Sequence, residues 1–447
     1  MKKLTLFLVA NLIGLGLLAE GYQINLQSTR QLGMGHLGTA LKLGSESMLF
    51  NPAGMVYMNG KTDISLGANA IFSKVTYTKG AYSAKTDNPV GTPIFGYAAF
   101  KISDKLAAGI SINNPVGNKL VWPENWSGAH IIQNIKLESF TIQPTLSYKL
   151  TENISIGAGL MIDFGDFELS RSLIPIGGLA PLAQAYPTLA PVINKYSTEA
   201  PVVATLEGKS KIAFGYNIGV LFTVSPKVNI GISYRSKVHM DVNEGTAALK
   251  YAGDDLKAVI TQVNTAVPGT IPIPPIDKAT FKATLPIPSN LNLGVSYQPT
   301  ECLLLSAELQ HVGWKVYDYL YINFDNAALP DITSKKNYKN TMIYRLGGAY
   351  KFSDKFTARF GAIYDTTPID KTLYNPETPG ANKFSLTTGF SYKPTAKLSL
   401  DFAFQYLNGA KTYGSVPDPR TGNPTNTFSG DYKSIAYIPS FGVSFLF

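Results

Sequence analysis

With one cysteine, Cys302, in 447 residues, the chain can form no intramolecular disulfide, so its fold must rest on backbone pairing and burial. Long apolar runs are missing too. Beyond the N-terminus no stretch approaches the roughly 20 apolar residues that a membrane helix needs. Mean hydropathy is only +0.03 although 45% of residues are hydrophobic, so the apolar content is dispersed, and a bundle of membrane helices is excluded. Charged residues make up 15% of the chain, and the formal excess of +9 is scattered. No basic face for nucleic acid emerges; the excess suits anionic lipid headgroups and anionic ligands. Histidines are few and isolated (His36, His130, His239, His311), with no paired-histidine metal spacing and no Gly-x-Ser-x-Gly elbow. Catalysis therefore has no constellation to rest on, and neither a cofactor nor a metal is expected.

What is present starts with an export signal. Lys2 and Lys3 precede an apolar run from Leu4 to Leu18 that ends at Ala19, the three-part pattern of a secretory leader spanning residues 1–19. The mature chain then begins near Glu20; Leu17 at position minus three makes the cleavage box imperfect, and a cut one or two residues later stays open.

From Lys61 onward, segments of ten to twenty residues alternate apolar and polar positions and are separated by breaks. Phe140, Ile142, Leu146, Tyr148 and Leu150 share one face against Ser139, Thr141, Gln143 and Ser147. Ile154 to Phe164 and Phe384 to Tyr392 repeat the pattern. The polar face is rich in Gly, Ser, Thr and Asn, and Tyr148, Tyr297, Tyr350, Tyr364, Tyr392 and Tyr406 sit at segment ends, where interfacial girdles belong. Breaks alternate between tight turns, such as Ser103-Asp104 and Ser353-Asp354, and long loops over 172–208, 244–277, 315–337, 366–381 and 408–431. That asymmetry is the inner and outer rim of an outer-membrane barrel. Between Thr280 and Gln298 the apolar positions stay odd-numbered across Pro286 and Pro288, which predicts one long strand with a local kink. The count is about 14 strands: an all-β, antiparallel transmembrane β-barrel over residues 61–447. The last strand alternates through Phe441, Val443, Phe445 and Phe447, and its terminal Phe resembles the signal read by outer-membrane assembly machinery.

Residues 20–60 do not alternate and are polar and Gly-rich, so they form either a periplasmic tail or a plug inside the lumen. A barrel of this size has a bore wide enough to need filling. Here the residues resemble a family. Gly21-Tyr22-Gln23-Ile24-Asn25, Gly33-Met34-Gly35 and Ser47-Met48-Leu49-Phe50-Asn51-Pro52-Ala53-Gly54-Met55 look like the N-terminal hatch of FadL-type outer-membrane transporters of fatty acids and hydrocarbons. The likeness continues through Gly215 to Leu221, Ile232 to Ser236, Tyr344-Arg345-Leu346-Gly347 and Arg359-Phe360-Gly361, and Asn51-Pro52-Ala53 is its most specific element.

The resemblance implies a plugged fourteen-stranded barrel for passive uptake of long-chain fatty acids or other hydrophobic compounds. Ligand would be captured by external loops, held in the lumen and released sideways into the bilayer at a kinked third strand. In this chain that strand meets Asn113-Asn114-Pro115-Val116-Gly117, where proline removes a ladder donor and glycine weakens pairing; an ordinary strand end is the plain alternative. For capture, Leu256, Val259, Ile260 and Val263 share a helical face, and Leu179, Leu182, Leu189, Val192 and Ile193 stud the preceding loop. The two loops can equally pack on each other. For a ligand carboxylate, Arg345 and Arg359 point inward on adjacent strands, and Arg171 stands where the family carries an arginine; Lys339 is a weaker candidate. Such cations can instead pair across the lumen with Glu308 or Asp401. Expected partners are the ligand, outer-membrane lipids and lipopolysaccharide, and the assembly machinery, with no nucleic acid, for a monomer in the cell outer membrane. The alternatives are a general diffusion porin and an outer-membrane enzyme.

Overall fold

The computed structural model describes residues 21–271, 273–274, 276–420 and 425–447, so the expected leader lies outside the described residues. Fourteen strands form the wall: β1 (Thr62–Asn69, Phe72–Lys79), β2 (Ile94–Ser103), β3 (Leu106–Asn113, Gly117–Val121), β4 (Asn134–Lys149), β5 (Ile154–Ile174), β6 (Val202–Lys209, Ala213–Ser225) and β7 (Val228–Arg235, Val238–Tyr251). They continue as β8 (Lys278–Ile287, Asn290–Tyr297), β9 (Leu303–Val312), β10 (Thr341–Lys351), β11 (Phe356–Asp365), β12 (Lys383–Thr395), β13 (Leu398–Gly409, Thr412–Pro417) and β14 (Thr427–Leu446). Each strand pairs antiparallel with the next, and β14 returns to β1 in the register Ile64↔Phe445 and Leu66↔Val443. This closure removes both sheet edges, which a lipid-facing sheet requires because no water is there to satisfy them. No helix among the described residues is long and apolar enough to cross a membrane.

Alternation sorts the lower half of the barrel as expected. Leu66, Ile110, Leu146, Leu160, Tyr216, Leu293, Leu346, Phe360, Leu386 and Phe441 face outward. Their neighbours Ser65, Ser111, Ser147, Asn217, Asn292, Ser385 and Ser440 are buried inside.

Several strands are interrupted at mid-height, and there the faces exchange. In β8 the single kinked strand is as read from the sequence, but the odd-numbered apolar set does not keep one face. Phe281 and Ile287 are buried inward above the prolines, whereas Leu291, Leu293, Val295 and Tyr297 point out below them. The irregular residues 288–289 supply the one-position slip that turns every side chain over. β7 turns over in the same way between Tyr234 and Val238: Ile230 and Ile232 face out, while Val238, Met240 and Val242 face in. The upper lumen is apolar: the turned-over Val238, Met240 and Ile287 join Tyr22, Val75, Tyr77, Leu120, Trp122, Ile343, Ile363 and Tyr432 in one cluster.

Residues 26–58 lie within the lower lumen, with short turns of helix at Thr29–Leu32, Ser47–Phe50 and Pro52–Tyr57. Such irregular backbone leaves many amide groups without partners of its own. The polar inner wall supplies them: Gln143 and Asn217 donate to the Met48 carbonyl (2.7 and 2.9 Å), Ser233 to Phe50 (2.8 Å), Ser155 to Ala53 (2.8 Å) and Ser296 to Ala40 (2.9 Å). Inward glycines let the plug backbone approach the wall. A Cβ on Gly157 would stand 2.3 Å from the Pro52 carbonyl carbon, and one on Gly361 2.4 Å from the Gly35 nitrogen. The Ser, Asn and Gly of the inner face are thus complementary to a plug, not to a column of water.

Candidate functional site

Asn51, Pro52 and Ala53 lock the plug. Asn51 has extended backbone, and its Oδ1 accepts from the Ala53 amide at 3.1 Å, capping the turn that Pro52 opens. Its Nδ2 donates to the Thr39 carbonyl (2.7 Å) within the plug and to the Val220 carbonyl (3.0 Å) of β6. One side chain therefore joins two plug segments to the wall.

Above the plug lies a cavity of about 390 Å³. Its floor is Gln23 to Leu26 with His36, its sides include Val75, Leu120, Leu137, Ile343, Ile363 and Ile438, and Thr378 to Gly380 close it from above. The roof segment is pinned by Asn118, which donates to the Glu377 carbonyl (3.0 Å), by Trp122 on the Pro376 carbonyl (3.2 Å) and by the Lys336–Glu377 ion pair. His36 Nε2 donates to Gln405 Oε1 at 2.9 Å, and burial pushes its pKa down to about 4.

The cavity reaches the barrel side at Pro89 to Pro93 and Val116 to Leu120. There the ladder fails. β3 pairs with both neighbours below Asn113, but its upper segment pairs only with β4. Asn114 stops the break from below: its Oδ1 accepts from the Ile94 amide (2.9 Å) and its Nδ2 donates to the Ser139 carbonyl (2.9 Å). Above, Asp87 donates to the Val121 carbonyl (2.8 Å). Inside the break the plug itself pairs with the strand, Ile24 N–H to the Pro115 carbonyl (2.9 Å) and Gly117 N–H to the Tyr22 carbonyl (3.0 Å). Tyr22 is anchored against Trp314, ring centroids 4.9 Å apart. Pro115 and Gly117 thus occupy the gap itself, while Asn113 is buried beneath it.

The four expected cations are dispersed. Arg345 lines the cavity, but its guanidinium donates to Glu308 at 2.9 Å and also to Gln310. Arg359 points inward near the start of β11 and donates to Ser391, which in turn donates to Asp401. Arg171 stands near the outer end of β5, and Lys339 is exposed, 3.5 Å from Asp370. Sequence reasoning passed over other cations at this space. Lys74, Lys119, Lys136 and Lys383 line the cavity, and Arg235 lines a polar pocket of about 70 Å³ that shares Gln23, His36 and Arg345 with it. Arg235 lay inside the quoted segment Ile232 to Ser236, and it shares the inward phase of Gly231 and Ser233, so the alternation of the lower strand could have found it.

The external loops make their own small core. Leu256, Val259, Ile260 and Val263, on the helix Asp254–Ala266, are buried against Leu179, Ile193 and Tyr196, with Leu182, Leu189 and Val192 half-buried at its edge. Asp255 accepts from Tyr196 (2.5 Å) and Lys195 (2.9 Å), which clamps the loops and holds its carboxyl down at about 2. The apolar side chains read as a landing surface are thus largely turned toward each other. No group of His, Cys, Asp and Glu among the described residues could hold a metal ion.

Residues 12–447 match the family described as outer membrane protein transport protein (OMPP1/FadL/TodX). The chain is 23% identical to outer membrane protein P1 of Haemophilus influenzae, with 99% of both chains covered. It is also 23% identical to the long-chain fatty acid transport protein of Salmonella typhi, with 88% of both covered. It superposes on a FadL homologue of Pseudomonas aeruginosa with a TM-score of 0.79 at 20% identity, covering 95% of this chain and 99% of that one. On the toluene transporter TbuX of Ralstonia pickettii the TM-score is 0.65 at 20% identity, with 94% and 98% covered. These likenesses establish a shared fold.

Proposed function

Because the chain belongs to the outer membrane protein transport protein family (OMPP1/FadL/TodX), a family of transport channels and not of enzymes, we propose that it carries long apolar molecules, fatty acids first among them, passively across the outer membrane. The observation that carries this reading is the cavity of about 390 Å³, where Val75, Leu120, Leu137, Ile343, Ile363 and Ile438 share the lining with charged side chains such as Arg345 and Lys383. Its size falls within the range of small-molecule sites, and apolar walls with a few polar groups suit a molecule with one polar end. The names of its relatives span fatty acids and toluene.

In this reading ligand lands at the edge of the loop core, where Leu182, Leu189 and Val192 remain half-buried, and passes to the cavity. It leaves through the break between β2 and β3 once Tyr22 to Ile24 yield. Lys383 and the Arg235 pocket are the carboxylate partners this reading favours over Arg171, Arg359 and Lys339, since both adjoin the cavity. An open diffusion porin would need an unobstructed bore, and the plug fills the lower lumen.

The test is recovery of ligand. Detergent-solubilised protein incubated with oleate, then denatured, extracted and analysed by mass spectrometry, should yield about one oleate per chain. Recovery of detergent alone would sink the proposal.

A further inference from the structure

The outer wall carries a second feature that transport does not use. Between β6 and β7 the ladder is regular up to Asn217↔Arg235 and the Ser236 amide on the Tyr216 carbonyl (2.9 Å), and it resumes only at Glu207↔Thr246. In the interval, the Lys211 amide on the Asp241 carbonyl (2.8 Å) is the bond that spans the two strands. The strands part around it and leave a crevice of about 270 Å³, lined by Lys211, Ile212, Phe214, Lys237, Val238, His239 and Asp241.

Both strands turn over within this interval, so the residues just above it that point outward are polar. Lys209, Lys211, Lys237 and His239 are all exposed. Directly beneath them Ile212 and Phe214 are 62% and 66% exposed. The height of the crevice follows from the strand. Outward apolar positions run from Val224 up to Phe214, ten residue steps of about 3.3 Å, and a tilt of about 40° leaves about 25 Å, the full apolar band of an outer-membrane barrel. Lys211 and Lys237 therefore stand at the headgroup level of the leaflet on the long-loop side, the outer one.

Other exposed lysines toward this rim are of both kinds: Lys136 with Asp166 (3.3 Å), Lys282 with Asp325 (3.3 Å) and Lys411 with Asp431 (2.9 Å) have carboxylates, whereas Lys74, Lys119 and Lys250 have none within ion-pair distance among the described residues. Among the described residues, Lys209, Lys211 and Lys237 have no carboxylate within ion-pair distance. The one acid in the crevice, Asp241, accepts from the Thr284 hydroxyl at 2.6 Å, and against its single charge stand Lys211 and Lys237, so the crevice is net positive. Clustered lysines at a bilayer surface attract anionic headgroups, and an ammonium binds phosphate as a compact point charge.

We propose that this crevice is a binding site for a phosphorylated glycolipid of the outer leaflet, of the lipopolysaccharide class, with its phosphate between Lys211, Lys237 and the His239 ring and an acyl chain over Ile212 and Phe214. The site is independent of the transport route, which opens between β2 and β3. A bound lipid there would also cover this parting of the wall ladder.

The test is lipid retention by protein extracted from outer membranes in mild detergent and examined by native mass spectrometry. Lys211→Gln/Lys237→Gln should reduce co-purified lipopolysaccharide at least tenfold, Lys211→Arg/Lys237→Arg should retain it, and Lys105→Gln/Lys355→Gln at the inner turns should match the parent. Heat-modifiable electrophoretic mobility reports whether each barrel has folded. If the glutamine pair fails to fold, competition on the parent decides: phosphorylated lipid A should displace bound lipid, and the dephosphorylated form should not. Equal retention by the glutamine pair, equal displacement by dephosphorylated lipid A, or stronger binding of phosphatidylglycerol or inorganic phosphate would each overturn the proposal.

Discussion

Glu308 of β9 and Arg345 of β10 are register partners whose side chains meet at 2.9 Å in the buried lumen, and the other oxygen of Glu308 accepts from the plug amides of Gly38 (3.2 Å) and Thr39 (2.9 Å). A single carboxylate thus balances a wall cation and ties down the plug. Glu308→Ala strands the guanidinium and frees two amides, and breaking a buried pair costs about 3–5 kcal/mol. We expect a folded but leaky barrel, read as raised conductance in planar bilayers. Glu308→Ala/Arg345→Met, which removes the stranded charge, should bring conductance part of the way back. Parental conductance in Glu308→Ala would mean the plug is held without this contact.

Steric contact at the glycines should matter more than any one plug hydrogen bond. Gly157→Val and Gly219→Val push side chains into Pro52 and Asn51, where even a Cβ would be 2.3 and 2.1 Å away. Asn51→Ala loses bonds to Thr39 and Val220 worth about 1 kcal/mol each. The expected order of conductance is deletion of residues 22–58, then the valine variants, then Asn51→Ala, then the parent. A valine variant as tight as the parent would show that the plug can shift without loss.

The bridge between Gln23 and Val116 offers a direct test of the exit route. It is a non-hydrogen-bonded antiparallel pair, with Cα atoms about 4.5 Å apart, within reach of a disulfide. In a Cys302→Ser background, Gln23→Cys/Val116→Cys should cross-link on oxidation. Oleate uptake by cells should then fall severalfold and recover with reductant. Full uptake by the oxidised protein would rule out departure of ligand past Tyr22 to Ile24.

Acid should loosen the plug through His36. Burial lowers its pKa to about 4 in the seated plug, against 6.5 when solvated. The seated state is the one that resists protonation, so its full stability is present above pH 6.5 and declines as pH falls toward 4, by about 1.4 kcal/mol per unit. Conductance of the parent should rise over that window, and His36→Gln should flatten the rise. A parent profile that is flat from pH 7 to 4 would contradict the assignment.

Much of this was legible in the chain. The dyad rhythm and the alternation of tight turns with long loops dictated a closed barrel with about fourteen crossings, because each is a local pattern; the aperiodic head could be a tail or a plug, and only the family resemblance implied a filled bore. The pairing of inward charges was legible only as a choice: Glu308 or Asp401 was a possible partner for the inward cations, with no one-to-one assignment. The lumen pairs Glu308 directly with Arg345 and inserts Ser391 between Arg359 and Asp401. The apolar loop residues were equally open to two readings, and most of them are buried in the loop core.

Alternation reports which residues share a side, but not which side is inside once a strand has slipped by one position. In β7 and β8 that slip turns Met240 and Phe281 into the lumen and Lys237 and His239 out to the exposed face. The irregular residues that cause it span only a pair of positions, and they resemble any other short break. Local periodicity therefore sufficed for the architecture. The identity of the free cations, the apolar upper lumen and the parted wall between β6 and β7 were decided by pairing between residues far apart in the chain, such as Glu207 with Thr246 and Glu308 with Arg345.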